Sequence, residues 1–173
     1  MIYMFSMKTY FGGEHLNNKR KSQRPLNFKK ATHLVLRLKP LLPSLFNPRD
    51  KNLRNGFQNI ADKYNIKVYQ LVFNHSHLHA SLLLPSREAY VGFIKELTSK
   101  LVNYFTKTTK IKFRKIFLFR PFTRIVEWGK GIRILQNYLL KNENESGFKQ
   151  ICFDIKSRKK KPDTRQLLLF ELK

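Results

Sequence analysis

Residues 75–84 constrain the fold more than any other stretch, because histidines at 75, 77 and 79 alternate with Ser76, Leu78 and Ala80. In an extended chain alternate side chains point to opposite faces. Leu78, Ala80, Leu82 and Leu84 would then face a layer of helices, while His75, His77 and His79 form a row on an open face. Residues 66–73 read as a preceding strand, linked by Asn74 as a hairpin or tightly connected pair, and Pro85 ends the second strand.

The flanking segments supply the other layers. Residues 32–38 (Thr-His-Leu-Val-Leu-Arg-Leu) predict a strand stopped before Pro40. Residues 48–64 carry Leu53, Phe57, Ile60 and Ala61 at helical spacing, with Asn47 as the cap before Pro48. Ser86-Arg87-Glu88 starts a long helix to about Phe105, with Tyr90, Phe93, Ile94, Leu97, Leu101 and Phe105 on one face. Residues 111–128 interleave apolar and basic residues and read as a fourth strand bent at Pro121. Residues 132–141 follow as a third helix, after Gly129 and Gly131. The order β-α-β-β-α-β-α predicts an α+β, ferredoxin-like sandwich: an antiparallel sheet with helices on one face, plus a C-terminal helix.

Charge sets the partner class. The 173 residues hold 35 Lys and Arg against 11 Asp and Glu, a formal net of +24. Such a surface repels itself, and nucleic acid is its natural counterpart because neutralising phosphates releases condensed counterions. Residues 1–30 read as a flexible basic arm, residues 31–145 as the body, and residues 146–173 as a basic tail ending in a short apolar run. No segment approaches the roughly 18 uninterrupted apolar residues of a membrane span, and residues 1–10 are too short and too broken for a signal peptide. The single cysteine, Cys152, excludes an intramolecular disulfide and a Cys-rich zinc site, and fits a cytoplasmic protein.

The histidine row holds three of the chain's five histidines. Two imidazoles at this spacing can take adjacent positions on one divalent metal, for which Mn²⁺ and Zn²⁺ are suited. About sixty residues on, Tyr138 and Asn142 stand at i and i+4 on one face of the last helix. A tyrosine hydroxyl can act as a covalent nucleophile, and an amide oxygen is a hard ligand for Mg²⁺ or Mn²⁺. Glu127 and Glu143 are acids close by, with no spacing that assigns them a role.

Asn74-His75-Ser76-His77-Leu78, a long helix, an aromatic and basic strand and then Tyr138-Leu-Leu-Lys-Asn142 together resemble the single-tyrosine HUH transposases, of insertion-sequence or repetitive-extragenic-palindrome-associated type. The resemblance spans about residues 32–142, two-thirds of the chain, and Arg120-Pro121-Phe122-Thr123-Arg124-Ile125-Val126 and Gly12-Gly13 are similar to chromosomal members. It implies a catalytic domain over residues 31–145 that cleaves and rejoins single-stranded or hairpin DNA through a 5′-phosphotyrosine intermediate. Mg²⁺ or Mn²⁺ would be held by His75, His77 and Asn142, with Tyr138 as nucleophile. Lys112, Arg114, Lys115, Arg120 and Arg124 are the basic residues placed to contact DNA, and the resemblance allows a monomer or a homodimer, between which the residues do not choose. The residue between the paired histidines is usually hydrophobic in that family, whereas here it is Ser76. His77-Leu78-His79 meets that rule, with His79 as the alternative ligand; the preceding Asn74 favours His75 and His77.

Two other classes compete. His-x-His-x-His also resembles the histidine-triad nucleotide hydrolases, with His77 as nucleophile, but the Gly-Gln-Ser/Thr segment of that family is absent before it. A non-catalytic ferredoxin-like nucleic-acid-binding module would instead use Phe113, Phe117, Phe119 and Phe122 as stacking surfaces among Lys112, Arg114, Lys115, Arg120 and Arg124.

Overall fold

The computed structural model describes residues 9–16, 22–40, 45–113 and 115–145. Along the chain lie β1 (Tyr10–Phe11), a 3-10 turn (Gly13–Leu16), β2 (Ala31–Arg37), α1 (Lys51–Lys63), β3 (Lys67–Asn74), β4 (His77–Leu83), α2 (Arg87–Thr109), β5 (Phe122–Val126) and α3 (Lys130–Glu145). Among the described residues the strands form one sheet in the order β1-β5-β2-β4-β3, with every neighbouring pair antiparallel. Apart from the edge strand β1, this is the expected ferredoxin-like β-α-β-β-α-β series, an α+β fold. β2 and β4, the two strands richest in alternating apolar residues, lie at its centre.

One sheet face is buried beneath α1 and α2. Leu34 and Leu36 of β2, Leu71 and Phe73 of β3, and Leu78, Ala80 and Leu82 of β4 pack against Phe57, Ile60 and Ala61 of α1 and against Phe93, Leu97, Leu101 and Phe105 of α2. The helical residues recur at three- and four-residue intervals, so each helix turns a single stripe to the sheet. Phe57 meets Phe93, and Phe46 meets Phe105, edge to face with ring centroids 5.4 Å apart. Each of these fully buried rings contributes roughly 1.5–3 kcal/mol of burial energy. α2 begins as expected, with the Ser86 hydroxyl accepting from the Ala89 N–H at 3.1 Å, and runs to Thr109, one turn beyond the apolar stripe. α1 starts three residues later than the Asn47-Pro48 pair suggests. Asp50 is its cap, accepting from the N–H groups of Asn52 and Leu53, while Asn47 Oδ1 closes a separate turn onto the Arg49 N–H.

Three expectations need correction. First, part of the segment read as a flexible arm is built into the sheet. Tyr10 and Phe11 pair with Arg124 and Thr123, and Arg24 donates to Thr123 Oγ1 at 2.6 Å while its guanidinium lies over the Phe11 ring. Gly12, at φ 86°, passes so close to the Pro121 carbonyl that a Cβ there would stand 2.1 Å from its oxygen. Residues 1–8, 17–21 and the whole tail from 146 onward lie outside the described residues. Second, residues 111–128 do not form one bent strand. Only Phe122–Val126 joins the ladder, whereas Phe117 makes an isolated bridge to Leu38 beyond the end of β2. Pro121, which has no N–H to donate, separates the two pairings. Third, the second sheet face is not open. Ile132, Leu135 and Leu139 of α3 pack on Ala31, Val72 and Val126, so α3 crosses that face.

Among the described residues no helix is long and apolar enough to cross a membrane.

Candidate active site

The face under α3 is set by strand register. Arg124 of β5 lies beside His33 of β2, which lies beside Ser81 of β4. The next row holds Phe122, Val35, His79 and Val72, and the one after it Arg37, His77 and Asn74. His77 and His79 are two apart on β4 and share this face, with ring centroids 4.7 Å apart and the rings nearly perpendicular.

His75 does not join them. Asn74 pairs directly with His77, so His75 and Ser76 form the two-residue hairpin turn rather than the start of a strand. The expected row of three histidines is therefore a row of two, with His75 exposed at the tip.

α3 brings Tyr138 and Asn142 onto the same site. Leu135 and Leu139 are buried against the sheet, and Tyr138, 47 % exposed, lies at the margin of that contact. Its ring stands edge-on to His79 at 5.6 Å and to His33 at 6.3 Å between centroids. One turn on, Asn142 is buried, donates from Nδ2 to the Tyr138 carbonyl at 2.8 Å, and lies near enough to His77 to act on its protonation. The i and i+4 spacing thus places one member of the pair against each histidine.

His33 is a member of this group that the sequence reading did not single out. Its Nε2 is 3.1 Å from Nδ1 of His79, and the two rings stack at 5.3 Å. The signal was present: in the 32–38 strand the leucines alternate with His33, Val35 and Arg37, which puts His33 on the face of the histidine row.

Burial favours the neutral form of all three imidazoles. It lowers His79 to about 3, helped by repulsion from His33 and His77, and His33 to about 4, helped by Arg124. His77 is also lowered, first by burial and then by Arg37, against an opposing hydrogen bond from Asn142. Neutral imidazoles offer lone pairs, the form a metal requires. Nε2 of His79 is buried and has no hydrogen-bond partner among the described residues, an unusual state for a buried polar atom. Together with His77 and the Asn142 amide, it forms a donor set suited to a divalent cation. Among the described residues no group of three His, Cys, Asp or Glu side chains does so, so the set depends on Asn142.

A cleft of about 850 Å³ opens beside this group, lined by His33, His79, Tyr138 and Phe122 and by the cations Arg37, Arg120 and Arg124. Of the basic residues expected to contact DNA, Arg120 and Arg124 thus line the cleft, and Arg37 is an addition. Lys112 and Lys115 are exposed but do not line it, and Arg114 lies outside the described residues. Of the two acids, Glu127 is ion-paired with Lys30 at 2.5 Å. Glu143 is buried, and its charge acts on Arg54.

With this geometry in place, comparison with known proteins gives a consistent result. A structure of a REP-associated tyrosine transposase bound to a REP hairpin has a TM-score of 0.55 at 16 % identity, covering 75 % of this chain and 76 % of that one. A Deinococcus radiodurans R1 protein assigned as a transposase has a TM-score of 0.43 at 16 % identity, covering 71 % of this chain and 98 % of that one. Among curated proteins there is no match. At 16 % identity the likeness to the REP-associated transposase structure speaks for the fold alone. The family is given by the sequence model for transposases described as IS200-like, which matches residues 27–139 and so takes in β2 through Tyr138. The chain belongs to the IS200-like transposase family.

Proposed function

We propose that this transposase cleaves and rejoins single-stranded or hairpin DNA through a covalent 5′-phosphotyrosine link at Tyr138. The observation that carries this reading is the Tyr138 ring edge-on to His79, on the sheet face that also holds His77. An oxygen nucleophile beside two neutral imidazoles suits phosphoryl transfer, where positioning and charge stabilisation do most of the work. His77, His79 and Asn142 would hold Mg²⁺ or Mn²⁺, which supplies Lewis-acid charge at the scissile phosphate. This favours the His77-Leu78-His79 pair over His75 and His77, since His75 sits in the turn.

The chain's own residues divide the remaining work. The Tyr138 oxygen attacks phosphorus as the phenol gives up its proton. The bond from phosphorus to the 3′-oxygen breaks, and that oxygen takes up a proton to become a free 3′-hydroxyl. Attack by a 3′-hydroxyl on the phosphotyrosine reverses these steps and rejoins a strand. Arg37, Arg120 and Arg124 would hold backbone phosphates along the cleft. A net charge of +24 and the hairpin bound by the solved REP-associated relative support DNA as the partner.

The test is cleavage of a labelled hairpin from the DNA flanking the gene. Product is expected with Mn²⁺ and none with EDTA; equal cleavage in both would contradict the metal assignment. The contact of Tyr138 with the histidines of its own chain supports a site assembled within one protomer. Mixing Tyr138→Phe with His79→Ala protein is therefore expected to restore no cleavage. Recovery in the mixture would mean that the tyrosine helix serves a partner's site.

A further inference from the structure

We propose that His33 is a positioning residue that fixes the tautomer of His79, so that His79 Nε2 presents a lone pair to a divalent cation. This rests on the metal-site reading above. The two residues are diagonal neighbours on paired strands, His33 opposite Ser81 and His79 opposite Val35. Both are buried, their rings are 15° from parallel, and His33 Nε2 lies 3.1 Å from His79 Nδ1.

Two neutral rings share one hydrogen in this bond, and there are two ways to place it. If His33 donates, the only hydrogen on His79 must sit on Nε2, which is buried and has no partner among the described residues. That arrangement strands an N–H and leaves His79 with no lone pair to give. If His79 donates from Nδ1, its buried Nε2 is a bare lone pair, and a cation there would complete it. A metal-bound histidine commonly donates its other N–H to a fixed acceptor, which sets tautomer and ring orientation. Here the acceptor is a second imidazole. His77 is held independently, by Ser76 Oγ at 3.0 Å from its Nδ1. His33 therefore governs His79 alone. Because the Tyr138 ring leans on both His33 and His79, the same contact also sets the distance between nucleophile and ligand.

The test is carried out on the full chain without metal, by long-range ¹H–¹⁵N correlation spectra of the imidazoles. His79 is expected to carry its hydrogen on Nδ1 and His33 to be unprotonated at Nε2; a His79 hydrogen on Nε2 overturns the proposal. Mn²⁺ titration of variants supplies the second reading. His33→Phe keeps the ring volume but removes the acceptor, and is expected to weaken Mn²⁺ binding about 10- to 100-fold and to move the His79 hydrogen to Nε2. His33→Gln restores an acceptor and should recover most of the affinity. Unchanged Mn²⁺ affinity in a folded His33→Phe protein overturns the positioning role. Absence of Mn²⁺ binding to the wild-type chain overturns the metal reading itself, and the metal-free spectra then report on the His33–His79 bond separately.

Discussion

Tyr138→Phe is expected to lower DNA cleavage by at least about 10³-fold, the scale on which removal of a covalent nucleophile acts. DNA affinity should stay within about twofold, because the basic residues lining the cleft are untouched. The substitution deletes one oxygen and keeps the ring that lies edge-on to His33 and His79. Since Tyr138 is 47 % exposed, the change in stability should fall within about 0.5 kcal/mol, as for surface positions generally. Cleavage rates on a labelled hairpin, with binding titrated in parallel, check both halves. Near-wild-type cleavage by the variant would exclude Tyr138 as nucleophile. Hairpin binding with no cleavage by the wild-type chain would point to the non-catalytic DNA-binding reading of the fold.

The histidines give the second large effect, and it separates two readings of the same motif. His77→Ala and His79→Ala are each expected to reduce Mn²⁺-dependent cleavage by about 10³-fold, since a Lewis acid contributes several kcal/mol at a transferring phosphate. His75→Ala should remain within about twofold of wild type, because an exposed turn position tolerates substitution and His75 does not share the face of the other two. Initial rates measured across a range of Mn²⁺ concentrations check all three, with thermal midpoints to show that the buried His79 position still folds. A His75→Ala defect as deep as that of His77→Ala would return the metal pair to His75 and His77.

Why the motif reads ambiguously in sequence has a physical cause in the hairpin. Two-residue hairpin turns usually announce themselves through Asn-Gly or Asp-Gly, because their favoured types need positive φ. Neither His75 nor Ser76 is among the residues with positive φ, so no such residue marks where β3 ends and β4 begins. The alternation of His75, His77 and His79 then looks continuous across a turn that in fact breaks it. Register, not composition, removes His75 from the row.

Elsewhere the local signals were strong enough. Leu34 and Leu36, and Leu78, Ala80 and Leu82, give the central strands, and the stripes of α1 and α2 give the layer above them. What could not be read was long-range. The alternation in residues 111–128 looks like one strand, yet its pairing depends on where the end of β2 lies. β1 is two residues long and has no periodicity to read; it exists because Gly12 permits a close approach to Pro121. The stripe Ile132, Leu135 and Leu139 predicts a helix, but its counterpart, Ala31, Val72 and Val126, comes from three separate strands. For the same reason Tyr138 and Asn142 were recognisable as a pair, while His33 emerged only once β2 was set beside β4.

The most direct test of the account is mass-spectrometric mapping of the covalent product formed when the protein is incubated with hairpin DNA and Mn²⁺. A 5′-phosphate adduct is expected on the peptide containing Tyr138, paired with a free 3′-hydroxyl on the released strand. An adduct on a histidine, or cleavage with a 3′-phosphate and no adduct, would contradict it.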